Sequence, residues 1–88
     1  MVKHIVLSCE KLFLREQAHP YLAQMLELPA YYGHNLDALY DCLTEMGEVT
    51  VAVPGAKYLR HTDSYGPMIL TVLEDAARAN PNLHLDFS

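Results

Sequence analysis

Val49-Thr50-Val51-Ala52-Val53, closed by Pro54-Gly55, is almost continuously apolar and largely β-branched. A strand with one wet face alternates polar and apolar side chains, so a run without that alternation is covered on both faces, as an inner strand of a parallel sheet is. Pro54 and Gly55 punctuate it, because proline removes a ladder donor and glycine readily turns the chain. This strand belongs at the centre of a sheet. Parallel neighbours cannot be joined by tight hairpins, so the flanking sequence must supply helical crossovers.

Working outward, it does. His4 to Ser8 is a short β-branched run and reads as a first strand. Arg15 to Leu26 places Ala18, Tyr21, Leu22, Met25 and Leu26 at helical spacing and stops before Pro29. Downstream, Lys57 to Tyr65 has room for a short irregular helix. Pro67 to Ala79 reads as a clear helix, with Pro67 suited to a first turn and Ile69, Leu70, Val72, Leu73, Ala76 and Ala77 forming a wide apolar face. Leu83 to Phe87 alternates Leu, His, Leu, Asp, Phe and so reads as an edge strand with one face in water. The expected fold class is α/β, with three parallel strands in order 1-2-3 joined by right-handed helical crossovers. A flavodoxin-like fragment gives a similar pattern.

At 88 residues the chain is expected to form one domain spanning 1–88, large enough to bury about 60–65% of its unfolded surface. Cys9 and Cys42 stand far apart without a CxxC spacing, which points to two reduced, partly buried thiols. The opening Met1 to Ser8 has too short an apolar run for a signal peptide, and no stretch approaches the roughly 18 apolar residues of a membrane span, so a cytoplasmic location is the default expectation. Six Lys and Arg against eleven Asp and Glu leave a formal net charge of -5. That balance disfavours a nucleic acid partner and favours a basic protein, although mild acidity also serves plain solubility. The five histidines are scattered, the four glycines stand singly, and no nucleophile elbow, phosphate loop or metal-ligand spacing occurs. No cofactor, no metal and no enzymatic activity are expected.

Function is placed in Tyr31-Tyr32-Gly33-His34-Asn35-Leu36-Asp37-Ala38-Leu39-Tyr40-Asp41-Cys42-Leu43. Leu36, Leu39 and Leu43 recur at i, i+3 and i+7, a stripe to bury, and at about 100° per residue Asp37 and Asp41 fall together on another face, with Tyr40 between. Asn35 is a good N-cap, so Asp37 lies in the first turn, where the helix dipole favours a negative charge. Asp41 lies beyond that help, and aspartate is a poor interior helix residue. It is either a solvated surface acid or a binding residue. Of the adjacent tyrosines, Tyr31 is expected to be exposed and Tyr32 partly core. Gly33 reads as a position needing either a positive φ or the close approach of a partner chain.

This block resembles the barstar family, the intracellular protein inhibitors of barnase-type microbial ribonucleases. Tyr31-Tyr32-Gly33, Asn35 to Leu39 and Asp41 to Thr44 all match the family's own run, while His34 replaces an acidic residue, Tyr40 replaces a tryptophan, and Glu45-Met46-Gly47 departs from the family at the helix exit. The resemblance implies a barstar-like fold and a one-to-one inhibitor, monomeric on its own, whose acidic helix and Tyr-Tyr-Gly turn block the active site of a basic ribonuclease. It implies Asp41 in the place of the scissile phosphate, Asp37 on a second basic group, Tyr31 and Tyr32 stacked on the enzyme surface and Asn35 hydrogen-bonded at the rim. Gly33, Tyr40 and Thr44 complete the implied contact surface, together with Asp75 of the last long helix, which aligns with an acidic interface residue of the family. The alternative is an acidic interaction or immunity module of the same fold whose basic partner is not a ribonuclease. A small enzyme would need a pocket lined by Asp37, Asp41 and His34 together.

Overall fold

The computed structural model describes residues 3–87; Met1, Val2 and Ser88, at the ends of the expected domain, lie outside it. Three strands, β1 (Lys3–Val6), β2 (Val49–Ala52) and β3 (Leu83–Asp86), form one sheet in order β1-β2-β3. Both pairings are parallel, with Val51 opposite Ile5 on one side and Leu85 on the other. The central placement of the continuous apolar run holds: Val49, Val51, Ala52 and Val53 are all buried. On β3 the expected alternation also appears, with Leu83 buried, Leu85 half-buried and His84 and Asp86 exposed.

The first strand ends sooner than its sequence implies, and the reason is a competing acceptor. Leu7 still donates its N–H to the Ala52 carbonyl at 2.8 Å. The next N–H, that of Ser8, instead donates to the Tyr21 hydroxyl at 2.9 Å, drawing the chain off the sheet. A single 3₁₀ turn over Cys9–Leu12 follows, not foreseen from the sequence, and it sinks Leu12 into the core.

Helix α1 (Arg15–Met25) buries Ala18, His19 and Leu22. It closes with two reverse bonds, Leu28 N–H to the Ala23 carbonyl at 2.9 Å and Glu27 N–H to that of Gln24 at 3.4 Å. Glu27 takes the left-handed conformation that this closure requires, φ 51°, a position usually given to glycine. Helix α2 (Leu36–Thr44) sends Leu39 and Leu43 into the core, where it packs against α4 (Gly66–Ala79). Of the segment Lys57 to Tyr65, only α3 (Ala56–Arg60) is helical. The remainder is a turn held by Thr62, whose hydroxyl donates to the Leu59 carbonyl at 2.7 Å and pairs with that of Ser64 at the same distance. Helix α4 starts one residue before Pro67, at a glycine that lets α3 approach: a Cβ on Gly66 would lie 2.2 Å from a Leu59 methyl.

Among the described residues, nineteen buried hydrophobics form one cluster that takes in the three strands, the 3₁₀ turn and the four helices, so each of these elements is tied to the same core.

Candidate protein-partner interface

The segment between α1 and α2 is built from short local bonds. Tyr32 N–H donates to the Pro29 carbonyl at 2.9 Å, turning the chain. Asn35 is the N-cap, as its residue type requires: its Oδ1 accepts the Ala38 N–H at 2.8 Å, and its Nδ2 reaches back to the Gly33 carbonyl at 3.2 Å. The left-handed residue of this turn is His34, φ 53°, whereas Gly33 has no positive φ. The first of the two reasons offered for Gly33 therefore does not apply. A Cβ there would meet the Asn35 amide at 3.2 Å, so the glycine makes room for the cap.

The two tyrosines point opposite ways. Tyr31 is 85% exposed, and Tyr32 is 6% exposed with its hydroxyl hydrogen-bonded to His19 Nδ1 at 2.5 Å. Stacking of the Tyr32 ring on a partner surface is thus not available in this conformation; Tyr32 holds the turn from beneath, and Tyr31 is the ring on offer.

Asp37 and Asp41 are exposed on α2, and Tyr40 is exposed beside them. Neither carboxylate has a hydrogen-bond or ion-pair partner among the described residues. Asp41 stands three residues from the last residue of α2, at the negative end of the helix dipole, so the helix itself disfavours its charge. Thr44 spends its hydroxyl on the Asp41 carbonyl at 2.8 Å and is half-buried. Cys42, next to Asp41, is a half-buried free thiol. Burial first, then the charges of Glu45 and Asp41, push its pKa up, which keeps it protonated and a weak nucleophile at neutral pH.

Asp75 lies on α4, the helix that packs on α2, and is already paired with Arg78 one turn on. Its neighbour Glu74 holds Arg60 through both carboxylate oxygens, at 3.2 and 3.0 Å. An open cleft of about 600 Å³ runs from Tyr31 past Cys42 to the helix exit at Glu45, Met46 and Gly47. His34 and Asp37 line two other recesses, the first with Arg15, Glu16, His19 and Pro20, the second with Arg15, Asn35, Leu36 and Tyr65. Of the three residues that a small enzyme would need in one pocket, His34 and Asp37 thus line different recesses and Asp41 lines neither of them. No group of three or more His, Cys, Asp or Glu among the described residues is placed to hold a metal. No described helix is long and apolar enough to cross a membrane.

Two supports of this surface were missed in the sequence. Asn80, buried at the end of α4, donates from Nδ2 to the carbonyls of Leu43 at 2.9 Å and Met46 at 3.0 Å, satisfying the exit of α2. No local pattern marks that role, since its partners lie more than thirty residues away. His19 is buried between the Tyr32 and Tyr65 hydroxyls. Its signal was present: position 19 is three residues before Leu22 and seven before Leu26, on the buried stripe of α1.

With this geometry in hand, comparison with known proteins decides the family. The model of the family described as Barstar (barnase inhibitor) matches residues 2–87. The chain belongs to the barstar family. Its sequence is also 36% identical over 64 residues to the Bacillus subtilis (strain 168) protein named "Putative ribonuclease inhibitor YrdF", an overlap covering 69% of this chain and 70% of that one. The barstar family is one of ribonuclease inhibitors. Its α/β fold of three parallel strands in order 1-2-3 is the one expected from the run Val49–Val53 and its flanks.

Proposed function

We propose that this barstar-family protein binds a barnase-type ribonuclease one to one and inhibits it by seating α2 and the turn before it over the active site. The observation that carries this reading is Asp41: an exposed carboxylate, unpaired among the described residues, held on a rigid helix whose dipole opposes it. A charge that the fold does not need has its use outside the fold. Ribonucleases of this type bind the scissile phosphate through basic side chains, and an aspartate on a fixed helix can stand in for that anion with charge-assisted hydrogen bonds. Asp37, one turn earlier, pairs with a second basic group. Tyr31 stacks on the enzyme, Tyr40 adds a ring with a polar edge between the two acids, and Asn35, Gly33 and Thr44 border the contact. Tyr32 contributes by shaping the turn, and Asp75 by charge at the edge of the surface.

The test is RNA cleavage by a barnase-type ribonuclease, titrated with the protein and with Asp41→Ala and Glu48→Ala. Inhibition is expected to be complete at one equivalent. Asp41→Ala is expected to weaken binding by about 2–5 kcal/mol, a range to which complexes of this family themselves contribute, while Glu48→Ala changes it little. Asp41→Ala should leave the fold intact or slightly more stable, because alanine is the better helix residue. Equal losses from both substitutions would remove Asp41 from the centre of the site. The departure of Glu45-Met46-Gly47 from the family's run favours a second reading, in which the same surface binds a basic protein that is not a ribonuclease; absence of inhibition by the folded protein would move the assignment there.

A further inference from the structure

His19 is 1% exposed and both its ring nitrogens are engaged, Nδ1 with the Tyr32 hydroxyl at 2.5 Å and Nε2 with that of Tyr65 at 2.7 Å. A neutral imidazole has one N–H and one lone pair, so the two tyrosines cannot play the same part. The Tyr32 hydroxyl has no second partner among the described residues, and its ring is buried. It therefore donates to Nδ1, and Nε2–H donates to Tyr65, whose half-buried hydroxyl can send its own proton to water. The far side of this arrangement is firmly tied: Tyr65 N–H donates to the Phe13 carbonyl at 3.0 Å, and its own carbonyl opens α4. The near side is the recognition turn. Tyr32 sits between Tyr31 and Gly33, and the His34 ring lies 5.1 Å from that of Tyr32 and 6.3 Å from that of His19.

A proton on Nδ1 would set two donors against each other inside the core. The Tyr32 hydroxyl would have to turn into a space without an acceptor, or the residue would have to move, and its neighbours in the turn with it. The charged and titratable groups around the ring do little to offset this. Arg15 and His34 oppose a second positive charge, Glu16 shares the recess with them, and Asp37 faces Arg15 and Tyr65 from the start of α2.

We infer that His19 is the positioning residue of the recognition turn: while its imidazole is neutral it holds Tyr32, and through it Tyr31 and Asn35, in the shape that captures the partner, and its protonation releases that shape. Capture is therefore lost in acid. Burial, then the Arg15 and His34 charges, lower the His19 pKa, so release begins below the range of an ordinary histidine. The effect on the turn is a property of this chain alone; the effect on capture rests on the inhibitor reading above.

The experiment has two arms for that reason. In the first, the protein alone is titrated by NMR, following the His19 ring and the amides of Tyr31, Gly33 and His34. The amides are expected to shift with the midpoint of His19 and to lose that transition in His19→Gln. Should that variant not fold, Tyr65→Phe serves: it removes one partner of the ring, and the midpoints of His19 and of the turn must then move together. Amides that follow only the midpoint of His34, or that stay fixed while His19 titrates, overturn the inference. In the second arm, affinity for a barnase-type ribonuclease is measured from about pH 8 to about pH 5. The wild type is expected to lose about tenfold per pH unit below the His19 midpoint, beyond whatever His19→Gln loses through the enzyme's own groups. His34→Asn, which tolerates the left-handed conformation, keeps that extra loss. Identical profiles for wild type and His19→Gln overturn the inference. No binding at any pH, with the first arm positive, would instead count against the inhibitor reading and leave the positioning role standing.

Discussion

At the scale of single residues, two buried polar side chains determine how the proposed recognition surface is held. Asn80 makes three hydrogen bonds, to the carbonyls of Leu43 and Met46 and from the N–H of Asn82 at 3.0 Å. Asn80→Ala leaves the part-buried Met46 carbonyl and Asn82 N–H without this partner, while the Leu43 carbonyl keeps the Met46 N–H at 3.3 Å, and is expected to cost about 1–3 kcal/mol in urea denaturation, since stranding a polar group away from water costs more than the net value of the bond. His19 makes stability depend on pH, and its sign follows from its lowered pKa. As pH falls, the unfolded chain takes up the proton first, near the ordinary histidine value of about 6.5. The contribution of neutral His19 is therefore complete above about pH 6.5 and is lost progressively as pH drops toward the folded midpoint. Thermal unfolding of the wild type across that window should show this loss, and His19→Gln should not. Both residues were visible in the sequence as types, Asn80 beside Pro81 at the end of a helix and His19 on an apolar stripe. Their partners were not visible, because a hydrogen bond between residues 80 and 43 has no periodicity to detect.

At the scale of elements, α1 ends and α2 begins around two non-glycine residues in the left-handed region, Glu27 and His34. That conformation costs an L-residue about 1–2 kcal/mol relative to glycine. Glu27→Gly is expected to stabilise the protein by about 0.5–1 kcal/mol by calorimetry or denaturation, because glycine relieves most of that strain and loses only an exposed pairing with Lys3 in return. A destabilising result would mean that the pairing, or the side chain's packing at the cleft rim, outweighs the backbone term. Of the two readings of Gly33, a positive φ or the close approach of a partner chain, the first falls one residue too early, because glycine is the usual bearer of a positive φ and the left-handed residue here is His34. The helix itself was legible down to its cap: Asn35, the stripe Leu36, Leu39, Leu43 and the exposed pair Asp37 and Asp41 all stand as their spacing requires.

At the scale of the molecule, the net charge of -5 acts on encounter more than on the fold. If the partner is a basic ribonuclease, the association rate should fall steeply as salt rises from about 10 mM to about 500 mM, while the dissociation rate changes little, measurable by stopped-flow mixing. A rate indifferent to salt would mean that the acids of α2 act only at contact. The core also explains why α2 can carry acids that are unpaired among the described residues: Leu39 and Leu43 are fully buried against α4, so the helix is held by its inner face and its outer face is left for charge.

The order of elements, the central position of Val49–Ala52, the cap of α2 and the exposure of Asp37 and Asp41 were determined by the sequence itself, since each follows from periodicity, propensity or capping within a few residues. The early departure of β1 at Ser8, the inward turn of Tyr32, the left-handed His34 and the roles of His19, Tyr65 and Asn80 were decided only by the tertiary structure. Each depends on a polar group finding its partner across the fold, and such a pairing is settled by where the packed elements place the two groups, whatever their separation along the chain.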